Sequence, residues 1–289
     1  MIHRILALVA DCDDTLAPDT TAQLLEAFGV SAQQFYKDRV TRLVNDSWDP
    51  PLATMHEILA LVAEGPLAEL TRDRLIELGK GLTLYPGVPD VFDNLRAEIE
   101  GDSRYKEHGI KLEYYVITGG LEDLVRASPL GSAVNQVWGC NFAYDDQGRI
   151  RFPQRAVSFT EKTRFLFNIE KGFVGDKYKN QPYIVNVHMT EDDLRVPFHN
   201  MVYLGDGPSD IPCMSVLREK GYVIGVLCQD DGSRAYALGY GRRVNLTVPQ
   251  DYSKGSDAYR ALAKALREKA EGILRRIEFQ EANRPAAGF

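Results

Sequence analysis

The stretch that decides the fold is ILALVADCDDTL, residues 5–16, in which an apolar run ends at alternating carboxylates. Ile5 to Ala10 has the length of a strand and no polar residue, which predicts a buried strand of a parallel sheet. Asp11 and Asp13 follow at once, and an extended chain directs residues two apart to the same side. Ligands of open α/β sheets bind at the carboxyl ends of the strands. The stretch therefore predicts carboxylates that hold Mg²⁺ and face a phosphate.

The composition is that of an ordinary globular protein. The chain has 289 residues, 44% hydrophobic and 26% charged, which suits a core domain with a smaller accessory one. A net charge of −7 argues against a nucleic acid or an anionic membrane as the main partner. The apolar runs are too short to cross a bilayer, and the first one lacks the features of a secretory signal. Four scattered cysteines indicate reduced thiols, so we expect a cytoplasmic protein. We expect it to be a monomer or a homodimer.

Residues 17–84 have a helical pattern. Apolar residues recur there at three- and four-residue spacing, and glycine and proline separate the stretches, which predicts four or so short helices. A turn at Tyr85-Pro86-Gly87 follows, and the next stretch predicts a helix with Pro89 in its first turn.

From residue 113 onward, apolar runs alternate with amphipathic stretches. Strands are predicted at residues 113–118, 137–144, 200–206, 222–228 and 244–248, with a hairpin-like return after residue 144. Helices are predicted at residues 121–128 and 160–169, the second with Thr160 as its N-cap. This alternation is typical of an α/β fold whose mostly parallel sheet is covered on both faces. A last helix at about 257–281 carries a narrow apolar stripe, for which packing against the body is favoured over a dimer contact.

Four polar elements occur in a fixed order along this pattern. They are Asp11-Cys12-Asp13-Asp14-Thr15, Thr118 with Gly119-Gly120, Lys162, and Gly205-Asp206-Gly207-Pro208-Ser209-Asp210. Each one alone is common in turns or on helix surfaces. Together they offer carboxylates for Mg²⁺ and for nucleophilic attack, and a hydroxyl and a cation for phosphoryl oxygens. Hydrolysis of a phosphate monoester requires this combination of neutralised charge and an aligned nucleophile and acid.

The constellation resembles the haloacid dehalogenase (HAD) superfamily, and its phosphatase branch in particular, from Asp11 to Asp210. The resemblance implies a Rossmann-like core formed by residues 1–16 and 85–289. It also implies a helical cap domain of the C1 type, residues 17–84, inserted after the first strand as in phosphoserine phosphatases. Such a cap would exclude water and select the leaving group.

The resemblance gives the first two carboxylates separate roles. Asp11 matches the nucleophile, which is also a Mg²⁺ ligand. Asp13 matches the general acid and base, whose backbone carbonyl is a further metal ligand. Dehalogenases lack this second aspartate because a halide leaving group needs no proton, so Asp13 favours phosphoryl chemistry. Asp14 matches no role and is expected to be a turn or capping residue.

The resemblance assigns the other elements to phosphate and metal. Thr118 and Gly119 match the phosphate-binding residues. Lys162 matches the catalytic cation that pairs with both nucleophile and phosphate. Asp206 matches a direct metal ligand, and Asp210 a supporting carboxylate of the metal site.

The implied function is a Mg²⁺-dependent phosphomonoesterase that acts on a small phosphorylated metabolite through an aspartyl-phosphate. A phosphomutase or phosphotransferase would use the same residues, and a non-catalytic binding protein with this fold is the third alternative. The start of the cap offers only Asp19 where phosphoserine phosphatases place the acidic residue that holds the amino group. This disfavours phosphoserine as the substrate.

Two further features have open interpretations. Lys37, Arg39 and Arg42 on one predicted helix form either a solvated face, which is favoured, or contacts to an anionic substrate. Residues 171–199 are rich in tyrosine, lysine and asparagine and form either a flap near the active site or a surface excursion. The five histidines have no metal-ligand spacing.

Overall fold

The computed structural model describes residues 2–228 and 243–283. In these residues the strands are β1 (Ile5–Ala10), β2 (Lys111–Leu121), β3 (Gln136–Tyr144), β4 (Ile150–Arg155), β5 (Met201–Gly205), β6 (Tyr222–Leu227) and β7 (Leu246–Pro249). They form one sheet in the order β4-β3-β2-β1-β5-β6-β7, in which β3 and β4 are antiparallel and the other neighbours are parallel. The predicted α/β fold, its strands and the hairpin return are confirmed.

The helices cover both faces of this sheet. They are α1 (Thr20–Ala27), α2 (Ala32–Gln34), α3 (Thr41–Asn45), α4 (Pro50–Glu64), α5 (Arg72–Lys80), α6 (Asp90–Glu100), α7 (Ser103–Glu107), α8 (Glu122–Ala127), α9 (Pro129–Ala133), α10 (Phe159–Lys171), α11 (Ile211–Leu217) and α12 (Asp257–Ala282). A π-helical stretch, Phe35–Val40, joins α2 to α3. Within the described ranges, no helix is both long enough and apolar enough to cross a membrane.

Strand β1 lies at the centre of the sheet, between β2 and β5. Ala10 is opposite Val116 of β2 and Leu204 of β5, so β1 and β5 end at nearly the same level, while β2 continues to Leu121. This register brings Asp11, Thr118 and Asp206, which lie just beyond these three paired residues, to one edge of the sheet. That edge is the place where open α/β sheets bind ligands.

Alternate residues of β1 enter two hydrophobic clusters on opposite faces of the sheet. Ala7 and Val9 join the cluster on the side of α10 and α11, and Leu6 and Leu8 join the cluster on the side of α6 and α12. Each leucine is at most 1% exposed, and full burial of such a side chain contributes about 1.5–3 kcal/mol. The apolar stripe of α12 is buried in the second cluster, which confirms the predicted packing against the body: Leu262, Leu266, Ala270, Ile273 and Ile277.

The segment between β1 and α6 is helical because its helices carry strong start signals. The side chains of Asp19, Asp49 and Thr71 accept backbone N–H bonds at the starts of α1, α4 and α5. Gly65 has φ +112°, a conformation that favours glycine, and ends α4. The division into a core of residues 1–16 and 85–289 and a cap of residues 17–84 stays a prediction, and residues 1, 229–242 and 284–289 lie outside the described part.

Three local predictions are wrong. Thr118 does not end its strand, because β2 continues to Leu121 through an irregularity in its pairing with β3. Thr160 lies inside α10, which begins one residue earlier, and Ser158 occupies the N-cap position without a side-chain cap bond. Pro89 is itself the N-cap residue of α6 rather than part of its first turn.

Candidate active site

A buried lysine joins two carboxylates at the centre of the site. Lys162, in the first turns of α10, is 0% exposed. Its Nζ donates to Asp11 Oδ2 at 2.6 Å, to Asp210 Oδ1 at 2.8 Å and to Ser209 Oγ at 3.1 Å. These three bonds use all the donors of the ammonium group. A buried charge is tolerated when it is paired and hydrogen-bonded in this way.

The pKa values of this group reflect burial and charge together. Burial raises the pKa of Asp11 well above its ordinary value, and the nearby carboxylate of Asp210 raises it further, against the opposing effect of Lys162. Burial would lower the pKa of Lys162, but the charges of Asp11 and Asp210 outweigh it and raise that pKa. Lys162 is therefore a permanent cation at neutral pH.

The second aspartate of the motif is held by a separate set of hydrogen bonds. Asp13 Oδ2 accepts from Thr118 Oγ1 at 2.9 Å, and Asp13 Oδ1 accepts from the Thr20 backbone N–H at 2.7 Å. The Thr118 hydroxyl in turn accepts from the Gly120 backbone N–H at 2.9 Å. The carboxylate is thereby fixed in orientation across the edge of the sheet.

The extra residues in β2 explain how Thr118 comes to lie beside Asp13. Ile117 is paired with Trp138, and the next pair joins Leu121 to Cys140, so β2 uses more residues than β3 over this step. Such a bulge bends the strand and redirects a side chain. A Cβ added at Gly120 would lie 2.6 Å from Asp13 Oδ2, so only glycine permits this close approach.

Among the described residues, two groups of side chains have the spacing of a metal site. Ligand atoms of Asp11, Asp206 and Asp210 lie within 4.8 Å of one another, as do those of Asp14, Asp206 and Cys228. Carboxylate oxygens are the donors that Mg²⁺ prefers, whereas a thiolate prefers softer ions, so the first group fits Mg²⁺ better. The raised pKa of Asp11 agrees with this fit, because crowded buried carboxylates gain from a nearby cation.

The residues of this site come from distant parts of the chain. Asp206 follows β5, accepts from Thr15 Oγ1 at 3.2 Å and is 4% exposed. Asp210, fully buried, accepts from Tyr203 Oη at 2.7 Å and lies in a 3₁₀ turn before α11. Asp11, Lys162, Asp206 and Asp210 thus lie together. The Asp13 carboxylate lies outside both candidate metal groups.

A cavity of about 230 Å³ adjoins this edge of the sheet. Asp13, Gly119 and Ser209 line one side, and Tyr36 and Pro50 are among the residues from the helical segment that line the other. A ligand in the cavity would therefore touch both the strand ends and the helical segment.

The helical segment contributes four polar residues to the wall of this cavity, Asp19, Thr21, Tyr36 and Thr54. Asp19 accepts from the Ala22 backbone N–H at 2.8 Å as the cap of α1. Burial and the charge of Asp13 raise the pKa of Asp19 to about 6. Burial and the charge of Asp19 raise the pKa of Tyr36 as well.

Several neighbours of the site were not singled out from the sequence. Tyr203 lies inside an apolar strand and reads as core, and nothing in the sequence shows that its hydroxyl contacts Asp210. The sequence indicates only a reduced thiol at Cys228, which lies beside Asp206 in the structure. Asp14 has φ +55°, in agreement with its expected place in a turn, and it also enters the second candidate metal group.

The cationic side chains of the helical segment lie away from this cavity. Arg39 donates to Glu57 and Glu64, each at 2.7 Å, and Lys37 and Arg42 are also absent from the lining. Residues 171–199 form short 3₁₀ turns, and none of them lines the cavity beside Asp13. Lys171 Nζ ties this segment back to α10 through the carbonyls of Val185 and Val187 at 2.6 and 2.7 Å. The surface-excursion interpretation fits this placement.

The chain is similar to proteins of known sequence and structure. No protein-family model matches it. An uncharacterized protein of Borreliella burgdorferi is 25% identical over 286 residues, which cover 89% of this chain and 95% of that protein. A phospho-aspartyl intermediate analogue of phosphoserine phosphatase is 14% identical with a TM-score of 0.48, covering 87% of this chain and 97% of that one.

A structure described as a HAD family hydrolase from Salmonella enterica serovar Typhi is 13% identical to this chain. Its TM-score is 0.50, and the match covers 86% of this chain and 68% of that one. A structural match at this level of identity indicates a shared fold and nothing further. Together with the parallel sheet and its central β1, this likeness shows that the chain has the fold of the haloacid dehalogenase superfamily hydrolases.

Proposed function

We propose that this protein is a Mg²⁺-dependent phosphomonoesterase. The observation that carries the proposal is the position of Lys162, whose ammonium group joins Asp11 to Asp210 beside the cavity that Asp13 lines. A cation held at a buried carboxylate supplies charge for phosphoryl oxygens next to a nucleophile. Neither a surface ion pair nor a purely structural pair requires a second, separately oriented carboxylate at the same cavity.

Asp11 is the nucleophile of the proposed reaction. One carboxylate oxygen forms a bond to phosphorus while the bond between phosphorus and the substrate alcohol breaks. The Cys12 backbone N–H, 2.7 Å from Asp11 Oδ1, and Lys162 on Oδ2 fix the plane of the carboxylate for this attack. Asp11 and Asp206 would hold Mg²⁺, which when bound supplies further neutralisation of the phosphate charge.

Asp13 handles the protons in both steps. As an acid it gives a proton to the oxygen of the leaving alcohol, and as a base it takes one from the water that cleaves the aspartyl-phosphate. Its hydrogen bonds to Thr118 and to the Thr20 N–H hold it at the cavity wall throughout. Lys162 compensates the charge of Asp11 before attack and that of the phosphoryl group afterwards.

The cavity also limits the substrate. The described residues that line it include Pro51, Val157 and Phe159 and no lysine, arginine or histidine. A second phosphate or a carboxylate on the alcohol would meet no cation from these residues, and it would lie near Asp19. We therefore infer a small substrate whose alcohol part is uncharged or weakly polar.

Phosphate release from p-nitrophenyl phosphate tests the proposal. We expect inorganic phosphate to be released with Mg²⁺, to stop when the metal is chelated and to resume when Mg²⁺ is returned. Asp11→Asn should lower kcat by at least about a thousandfold, as loss of a nucleophile does in other covalent mechanisms. Asp93→Asn is the matched control, since this carboxylate is 84% exposed on α6, and it should leave turnover unchanged.

Three results would refute the proposal or change it. An inactive wild type on a broad panel of phosphate esters would favour a non-catalytic binding protein. Full activity of Asp11→Asn would exclude Asp11 as the nucleophile. Formation of an isomeric phosphate ester without net release of inorganic phosphate would indicate a phosphomutase or phosphotransferase.

A further inference from the structure

A second cavity, of about 330 Å³, lies between α10, the β3–β4 hairpin and residues 173–182. Its lining shares no residue with the cavity beside Asp13. Its volume falls within the lower part of the range found for small-molecule sites. The phosphatase chemistry proposed above makes no use of it.

Two buried polar atoms at this cavity have no partner. Among the described residues, three buried side-chain atoms lack a hydrogen bond: Thr20 Oγ1, next to Asp13, and two atoms of α10, Arg164 Nε and Asn168 Oδ1. Both α10 residues line the second cavity, and Asn168 is 7% exposed. An unpaired buried polar group is costly, so such groups are rare away from sites where a ligand or water completes them.

Cations dominate the charged side chains of this lining. Arg126, Arg155, Arg164 and Lys179 line the cavity, and Glu122 is the acid among its lining residues. Arg126 Nη1 lies 3.3 Å from Glu122 Oε1, and Arg155 donates to the other oxygen of the same carboxylate. One carboxylate thus serves two guanidinium groups, which leaves them with a net positive charge.

Carboxylates outside the lining reduce this charge without cancelling it. Arg164 is paired with Glu161, and Arg126 lies 3.8 Å from Asp176. Of the four cations, Lys179 has no ion pair among the described residues. Its exposed ammonium group at the rim would attract an anion.

The remaining lining combines carboxamides with an aromatic floor. The ring of Trp138 stacks on that of Phe165 with centroids 5.0 Å apart. Six residues with side-chain amides line the cavity: Gln136, Asn141, Gln154, Asn168, Asn180 and Gln181. An amide both donates and accepts, so it suits hydroxyl groups, and Arg and Lys suit phosphate or carboxylate. We propose that this cavity is a second ligand site, which binds a small hydroxyl-rich organic anion of the sugar-phosphate class.

The geometry of α10 separates this site from the candidate active site. Arg164 and Asn168 are four residues apart and lie on one face of the helix. Lys162 is two residues before Arg164, which places it on the opposite face, toward Asp11. Binding in the second cavity therefore does not require the Asp11 site.

Isothermal titration with D-glucose 6-phosphate tests this site. The protein carries Asp11→Asn, so that the probe is not hydrolysed, and binding is measured whether or not the phosphatase proposal holds. We expect saturable binding, at least tenfold weaker after addition of Asn168→Leu or Lys179→Ala. Lys177→Ala, at a neighbouring lysine outside the lining, should leave the affinity unchanged. Glucose without the phosphate should bind far more weakly.

Asn168→Leu also separates binding from structure. Because the Asn168 amide oxygen has no partner, an apolar residue of similar size should not lower the melting temperature. No saturable binding of glucose 6-phosphate, 6-phosphogluconate or ribose 5-phosphate at millimolar concentration would overturn the proposal. Binding that is unaffected by both Asn168→Leu and Lys179→Ala would place the ligand outside this cavity and overturn the proposal equally.

Discussion

Lys162 and Asp210 lie 2.8 Å apart, Nζ to Oδ1, and both side chains are completely buried. A buried cation is tolerated when it is paired, and Asp11 is a second partner of the same ammonium group, with its Oδ2 2.6 Å from Nζ.

We expect Lys162→Met to destabilise the protein by about 3–5 kcal/mol, the usual effect of removing one partner of a buried ion pair. Urea unfolding in the presence of a chelator, so that no metal compensates the carboxylates, is the measurement. Lys264→Met, at an exposed position of α12, is the matched control and should change the free energy of unfolding by less than about 0.5 kcal/mol.

Restoring charge balance should recover part of the lost free energy of unfolding. The double variant Lys162→Met with Asp210→Asn removes one of the two uncompensated carboxylates and should be more stable than Lys162→Met alone. A Lys162→Met protein as stable as wild type would show that the pair is not held as tightly as the distances indicate.

We expect the hydroxyl of Thr118 to affect kcat through its hydrogen bond to Asp13. Thr118→Val removes the 2.9 Å bond and keeps the shape, so kcat for phosphate release should fall by about 10–100-fold, the value of one hydrogen bond to a charged group. Thr118→Ser keeps the hydroxyl and should retain most of the activity. A loss of activity in Thr118→Ser with none in Thr118→Val would assign the effect to the methyl group rather than to the hydrogen bond.

Gly119 and Gly120 provide a test of the position of the Asp13 side chain. A Cβ at residue 120 would lie 2.6 Å from Asp13 Oδ2, whereas at residue 119 the nearest atom, the Val157 carbonyl oxygen, would be 3.7 Å away. Gly120→Ala should therefore displace Asp13 and lower kcat by at least about tenfold. Gly119→Ala should be close to wild type in steady-state kinetics, and a reversed order of the two would contradict the described placement of Asp13.

The raised pKa of Asp19 predicts that the stability of the protein depends on pH. Its pKa rises from the ordinary 3.8 to about 6 in the folded protein, mainly through burial and then through the charge of Asp13. Because the folded state holds this proton more tightly, the free energy of unfolding should fall as pH rises from about 4 to 6, by roughly 1–3 kcal/mol. Asp19→Asn keeps a good N-cap and should lack this decline.

Urea titrations of both proteins across this range give the comparison. Stability of the wild type relative to Asp19→Asn should be highest near pH 4 and lower and constant above about pH 6. Parallel curves for the two proteins would show that Asp19 titrates alike in the folded and unfolded states.

The sequence predicts an element correctly where its hydrophobic pattern and the residues of the candidate site occur in the same stretch. β1 has the predicted ends because Ile5 to Ala10 is uninterrupted and stops at Asp11. The roles of Asp11, Asp13 and Lys162 remain predictions. Asp11 and Asp206 lie close together because they follow neighbouring strands of a parallel sheet, whereas Lys162 contacts Asp11 from helix α10.

Other features depend on pairing that no single stretch encodes. The continuation of β2 past Thr118 arises from unequal pairing with β3, which lies about twenty residues further along the chain. The hydrogen bond from Tyr203 to Asp210 cannot be predicted from the sequence, because a tyrosine in an apolar strand is expected to be a core residue. The second cavity is lined by residues from α8, β3, β4, α10 and the segment that follows α10, so no local motif marks it.

The central place of β1 has a consequence for synthesis of the protein. The strands that flank it begin only at Lys111 and Met201, far along the chain from Ile5. During translation this apolar hexapeptide lacks one of its two neighbours until the residues from Met201 onward have been made, and such delayed pairing is slow and prone to aggregation. A nascent chain halted before Met201 is therefore expected to need chaperone protection.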